Sequence, residues 1–348
     1  MAILRTWIPL LLSDPSPCLR MLVLRELLHR PADDPEVCEL TGLRETDPLV
    51  VRLLACQESD GSWESGDFLW PERGYKLQAT ALVLTRLGYL GFGPENQAIQ
   101  QGAHYLFARQ QDDGSWPLPR IREETEGREG YSMVPLQTAI PLRGLAACGY
   151  ATDPSAERAY DWLLAQRLPD GGWPTGIAAG NYGRVAGYRR LAHSRWGCRS
   201  NTTGALSCLV LHPTRRNSPE ARRALDLLLG RETHEQQTLG FEMARLIGVE
   251  PARGFLTYYA RFDLALVLDF CWRVGANLED QRIADIVEFV CGLQGPYGLW
   301  EYTPRPQVAR WVTFDLVRSL ARLNTTGEWL SLEPRTPFQP YAKQVRRY

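Results

Sequence analysis

Lysine is nearly missing from this chain of 348 residues. Lys76 and Lys343 are its two lysines, and arginine supplies the rest of the basic charge. Lys and Arg together number 39 against 40 Asp and Glu, a formal net charge of −1. That balance leaves no basic footprint for nucleic acid and no acidic tail. No apolar run approaches the ~18 residues that a membrane span needs, and peripheral contact with a membrane stays open. The opening stretch, "MAILRTWIPLLLSDPSP", has a short apolar run broken by Pro9. It lacks a basic n-region and a small-residue cleavage site, so it does not read as a signal peptide. The 8 cysteines form no Cys-x-x-Cys pair and no dense framework, which fits reduced thiols of a cytoplasmic protein. His29, His104, His212 and His234 have no metal-ligand spacing. Phosphate loops, dinucleotide fingerprints and a Ser-His-Asp set are absent as well. The expectation is therefore no cofactor and no metal.

What the chain does have is a recurring turn. "QESDGSW" at 57–63, "QQDDGSW" at 110–116, "RLPDGGW" at 167–173 and "QGPYGLW" at 294–300 share the frame Gln-x-x-x-Gly-x-Trp, with Arg167 in place of Gln in the third copy. Repeats of this kind decide the architecture before any single residue does. The Gly permits a tight reversal, and the acidic residue before it suits a turn. The Gln amide can reach groups at a neighbouring helix end. The Trp is a wide plate that covers the gap between repeats. The motif reads as structural rather than catalytic.

The segments between the turns alternate in character. "NQAIQQGAHYLFARQ" is amphipathic, while "YKLQATALVLTRLGYLG" is apolar on nearly all sides. The first type lies outside and the second inside. Inner helices are expected at 17–28, 75–88, 134–148, 200–211, 256–273 and 308–322. Outer helices are expected at 35–56, 95–110, 154–167, 217–230 and 278–293. The prediction is an all-α fold, a six-fold α/α toroid closed as a single barrel over residues 1–332, with an extended tail at 333–348.

On these four turns the sequence resembles the squalene cyclase and protein prenyltransferase superfamily, whose repeats carry this Gln-Trp motif on an α/α toroid. The resemblance implies a central cavity that takes a small apolar or isoprenoid ligand. It does not supply the chemistry. The Asp-x-Asp-Asp acid of class II terpene cyclases is missing, and so is the Asp-Asp-x-x-Asp magnesium motif of class I synthases. Asp269-Phe270-Cys271 matches the short part of the prenyltransferase zinc site. Helix spacing, however, turns Asp269 and Cys271 ~200° apart.

In such a toroid the N-terminal ends of the inner helices are expected to line the cavity mouth, where free backbone N–H groups favour anions. This rule selects Tyr75, Lys76 and Gln78; Tyr131 and Gln137; Cys198 and Asn201; Tyr258, Tyr259 and Arg261; and Arg310 and Trp311 as ligand-binding candidates. Asp263, entering an apolar helix, is the candidate catalytic acid or base. The competing reading of Asp263 is an ion pair with Arg261 or Arg310. The loop 174–200 is rich in Gly, Arg and Tyr, and Arg184, Arg189, Arg190, His193 and Arg195 would make it a cationic lid. The sequence thus points to a terpenoid cyclase-like or prenyltransferase-like enzyme. The alternatives are a non-catalytic toroid that binds a lipid or protein partner and, third, a glycan-processing toroid with a carboxylate pair.

Overall fold

Helix starts follow one rule through much of the chain. Ser16-Pro17, Asp34-Pro35, Asp47-Pro48, Asp153-Pro154 and Ser218-Pro219 each place an oxygen-bearing side chain before a proline. In the computed structural model each of these side chains accepts backbone N–H bonds from the first turn that follows. The proline occupies a position whose N–H would go unused in any case. The structure describes residues 4–64, 76–116, 135–175, 190–230, 237–251, 262–295 and 297–323.

The fold is an all-α toroid. Its inner helices are α2 (Pro17–Glu26), α5 (Lys76–Tyr89), α7 (Pro135–Ala147), α9 (Arg199–Leu209), α12 (Leu264–Val274) and α14 (Ala309–Leu323). α5 packs on α7, α7 on α9, α12 on α14 and α14 on α2. Outside them lie α3 (Pro35–Leu43), α4 (Pro48–Ala55), α6 (Gln97–Phe107), α8 (Pro154–Ala165), α10 (Pro219–Leu229) and α13 (Gln281–Cys291). α1 (Leu4–Leu12) lies against α2 and α14. Its Trp7 ring sits 5.5 Å from Trp300, so the first helix is sealed onto the last repeat. Small residues set the inner spacing. A Cβ on Gly144 of α7 would lie 2.5 Å from the Ala81 carbonyl oxygen of α5.

Two sequence expectations change here. The outer helix expected at 35–56 is two helices, because Asp47 caps a new start and Pro48 cannot continue the old one. The inner helix expected from 256 begins at Leu264, where the Asp263 side chain accepts the Ala265 N–H. Residues 252–261 and the expected tail at 333–348 lie outside the described residues.

The repeated turn is one hydrogen-bonded device. Trp63, Trp116, Trp173 and Trp300 are almost fully buried. Each indole N–H donates to the carbonyl ten residues back, on Leu53, Leu106, Leu163 and Val290, at 2.7 to 2.8 Å. Each Trp backbone N–H donates to a threonine of the next inner helix: Thr80, Thr138, Thr202 and Thr313. Gln57 and Gln110 donate to the Ala98 and Ser155 carbonyls in the first turn of the next outer helix. Gly114 has φ 91°, and a Cβ there would meet the Arg158 carbonyl at 2.5 Å. The turn thus ties one outer helix, the following inner helix and the next outer helix together.

One element breaks the alternation. Gln237–Thr238 (β1) pairs in parallel with Phe262–Asp263 (β2), and between them runs the short helix α11 (Phe241–Leu246). α11 packs against both α5 and α14.

Candidate functional site

The inner helices surround a cavity of about 620 Å³, lined mostly by their C-terminal halves, by α12 from its N-cap Asp263 to Arg273, and by α11. From α5, α7 and α9 the wall is mostly small or apolar, with Gly88, Ala147 and Val210, apart from Arg143. From α12 and α14 it is ionic, with Asp269, Arg273, Asp315, Arg318 and Arg322. Tyr89, Phe270 and Trp272 supply its aromatic surface.

The ionic wall is organised around Arg318. Its Nη2 donates to Asp269 Oδ1 at 3.1 Å and also to Asp315 Oδ1. Asp269 additionally accepts from Arg273 Nε at 2.7 Å and from Trp272 Nε1 at 3.1 Å. Burial pushes the Asp269 carboxyl up, but Arg273 and Arg318 outweigh it and hold it below the usual range. Asp315 keeps a single partner, Arg318, among the described residues. Burial therefore wins there, opposed by Arg318 and assisted by Asp269, and its carboxyl is pushed up to about 6. The Tyr89 hydroxyl is buried nearby, with no hydrogen-bond partner among the described residues. Burial, and next the Asp315 charge, push its pKa well above the ordinary value.

Asp263 also reaches the cavity wall, but its oxygens are committed. Oδ1 accepts the N–H groups of Gly240 (2.9 Å) and Ala265 (3.2 Å), and Oδ2 accepts that of Glu242 (2.6 Å). The carboxyl caps α11 and α12 at once. Burial pushes it up to about 7, against these three donors, which favour the anion. Glu242 is clamped by Arg143 Nη1 at 2.5 Å and Arg245 Nη1 at 3.0 Å. Burial raises its pKa, but Arg245 and Arg143 outweigh that effect and hold it below the usual range.

The sequence rule placed the mouth at the N-terminal helix ends, whereas this cavity lies mostly toward the other end, with the head of α12 at Asp263 the exception. Lys76, Gln78, Gln137, Cys198, Asn201, Arg310 and Trp311 do not line it. Gln78, Gln137, Cys198 and Asn201 are buried among the inner helices instead. The Asn201 side-chain oxygen accepts the Leu136 N–H at 2.8 Å, tying α9 to α7. Arg310 pairs with Asp14 at 3.3 Å, so it is not the partner of Asp263. Trp311 packs 6.0 Å from the Tyr89 ring, behind the wall. Of the lid residues, Arg190 bridges to Cys198, His193 and Arg195 are exposed, and none of the three lines the cavity. Ser194 fastens this segment to Asp170 at 2.6 Å. Tyr75, Tyr131, Tyr258, Tyr259, Arg261, Arg184 and Arg189 lie outside the described residues.

Sequence reasoning missed Asp315, Arg318, Arg143 and Tyr89. A signal was present, since Arg143, Asp315 and Arg318 are charges inside otherwise apolar inner helices.

Asp269 and Cys271 do not fit a zinc site. The Asp269 oxygens are taken by Trp272, Arg273 and Arg318, and burial pushes the Cys271 thiol up. Among the described residues no group of three His, Cys, Asp or Glu is placed to hold a metal. No helix among them is long and apolar enough to cross a membrane.

Residues 40–188 match the family model described as squalene-hopene cyclase C-terminal domain. A squalene–hopene cyclase of Zymomonas mobilis is 28% identical over 162 residues, covering 44% of this chain and 24% of the relative. One from Bradyrhizobium diazoefficiens is 27% identical over 150 residues, covering 41% and 22%. The chain thus spans roughly a quarter of the length of these curated relatives. Among solved structures, type II terpene cyclase MstE from Scytonema is 16% identical, covering 78% of this chain and 95% of that one, at a TM-score of 0.34. A protein from Actinoplanes is 18% identical, covering 82% and 100%, at a TM-score of 0.32. The sequence matches support the squalene cyclase and terpenoid cyclase-like superfamily as the superfamily of this chain.

Proposed function

We propose that this protein is a terpenoid cyclase-like enzyme that takes an isoprenoid into the central cavity and isomerises it by proton transfer. One observation carries the reading: Asp315, a buried carboxyl on the cavity wall, is pushed up to about 6 and, among the described residues, has one partner where Asp269 has three. Such a group holds a proton more readily than an ordinary Asp and gives it up in an apolar setting. The Asp315 O–H bond breaks and its proton forms a C–H bond with one alkene carbon, leaving a cation on the other carbon. A second alkene closes onto that cation, the final cation loses a proton to water, and water returns a proton to the Asp315 carboxylate, so the product is an isomer of the substrate and the acid is regenerated. Tyr89 and Phe270 line the same cavity, where their π faces would favour the cation.

Asp263 serves this scheme as a scaffold rather than as the acid, since both of its oxygens are engaged by backbone N–H groups. The same commitment weighs against the glycan-processing reading. That chemistry needs two carboxyls free to act on one bond, and of Asp263 and Asp315 one is held as a helix cap.

The test is incubation with monoterpene, sesquiterpene and diterpene alcohols, followed by mass spectrometry and NMR. A product of unchanged mass with fewer alkenes supports the reading. Tight binding without product moves the protein to the non-catalytic, ligand-binding alternative.

A further inference from the structure

Two donors on the wall of the central cavity are left without acceptors. The Tyr89 hydroxyl, at the end of α5, and Arg318 Nε, on α14, are both buried, and neither has a hydrogen-bond partner among the described residues. Both residues line the cavity. Leaving a buried donor unpaired costs free energy comparable to a lost hydrogen bond. Orphans beside a cavity therefore point to an acceptor that arrives with the ligand. These two are neighbours. Asp315 is bonded to Arg318 and is also the charge that raises the Tyr89 pKa most, and Tyr89 and Arg318 act on each other.

The surroundings define the acceptor. The Arg318 guanidinium already carries Asp269 and Asp315, and Arg273 is paired with Asp269. Glu242 lies close enough to act on Asp315 as well. A further anion would sit among these carboxyls and be repelled. A neutral oxygen escapes that repulsion. A hydroxyl brings a proton of its own that needs an acceptor, whereas a carbonyl oxygen has two lone pairs and no proton. One carbonyl oxygen can thus satisfy both orphans.

We propose that Tyr89 and Arg318 bind a ligand carbonyl, so that the isoprenoid taken into this cavity is a ketone or an aldehyde. This rests on the isoprenoid reading above and names the functional group of that ligand. With both lone pairs engaged, the carbonyl competes poorly for the Asp315 proton, which is left for the nearest alkene of the chain. The apolar chain then follows Phe270 and the small residues Gly88 and Ala147.

The experiment measures Kd on the full chain, by quenching of intrinsic Trp fluorescence, for ligands of one skeleton. They are an acyclic isoprenoid methyl ketone, the hydrocarbon with =CH2 in place of =O, and the carboxylic acid with CO2H in place of the acetyl group. The ketone should bind at least about tenfold more tightly than either of the others. Tyr89→Phe should remove most of that preference and leave hydrocarbon binding within about threefold. Its hydroxyl has no acceptor to lose, so the Phe variant without ligand should melt no lower than the wild type. A merely structural hydroxyl would give the reverse, a lower melting temperature with the preference intact. Arg318→Lys keeps a cation for Asp269 and Asp315, removes the Nε donor, and should weaken the same preference. Equal binding of ketone and hydrocarbon, tightest binding of the acid, or a preference that survives Tyr89→Phe overturns the carbonyl site and leaves the isoprenoid reading standing. Failure of the wild-type chain to bind any of these ligands overturns both.

Discussion

Asp269 and Asp315 share one guanidinium, that of Arg318, yet they are driven in opposite directions. Asp269 has three donors and stays an anion. Asp315 has one, and burial raises its pKa. The difference follows from position. Asp269 lies one turn before Arg273 on α12, whereas among the described residues Asp315 on α14 meets only Arg318. A buried pair is thereby split into a fixed charge and a titratable acid, an arrangement suited to proton transfer.

Asp263→Asn is predicted to loosen the lumen. Whichever way the amide is turned, at least one backbone N–H among Gly240, Glu242 and Ala265 faces a donor instead of an oxygen. Leaving a buried donor unpaired costs about 1–3 kcal/mol. Urea denaturation should show a lower midpoint with the slope unchanged. A midpoint equal to that of the wild type would show that the double cap contributes nothing.

The toroid turns are predicted to depend on the threonine hydroxyls. Thr138→Val keeps the shape but removes the acceptor of the Trp116 N–H. Stability should fall by about 1–3 kcal/mol, and Thr138→Ser should restore most of it. Equal melting temperatures for Val and Ser would rule this contact out as a source of stability.

The stability profile against pH follows from the raised carboxyls. In the fold Asp263 and Asp315 titrate at about 7 and about 6, against an ordinary value of 3.8. The folded state therefore takes up these protons first as pH falls. Their contribution grows from about pH 8 downward and is complete below the unfolded value. Glu242 and Asp269 are shifted the opposite way, so their contribution is lost only in stronger acid. Denaturation at about pH 8 and about pH 5 should show the wild type more stable at the lower pH, with a smaller gain in Asp315→Asn. A steady loss of stability over that interval would contradict the assignment.

The legibility of this protein in its sequence divides along locality. The Gln-x-x-x-Gly-x-Trp turns are local: Trp116 bonds ten residues back and to Thr138 shortly after. Spacing and residue type were enough to read them, and with them the alternating helices. α11 depends on contacts far apart in the chain, such as Arg143 with Glu242 and Arg86 with Leu246. Periodicity carries no information about such pairs, so neither α11 nor the end at which most of the cavity lies was readable. Asp263 reads from sequence as a candidate acid or base at the head of an apolar helix, and it is buried there. Among the described residues its hydrogen-bond partners are backbone N–H groups next to the β1–β2 pairing, and Arg310 pairs with Asp14 instead.

The central claim is that Asp315 donates the proton, and the most direct measurement is the turnover of Asp315→Asn beside its melting temperature. Asn keeps the size and loses the acid. The account predicts turnover lower by about 10² or more in a protein that remains folded. It further predicts wild-type turnover that declines as pH rises through about 6, where the carboxyl loses its proton. A folded Asp315→Asn protein that turns over isoprenoid at the wild-type rate would contradict it.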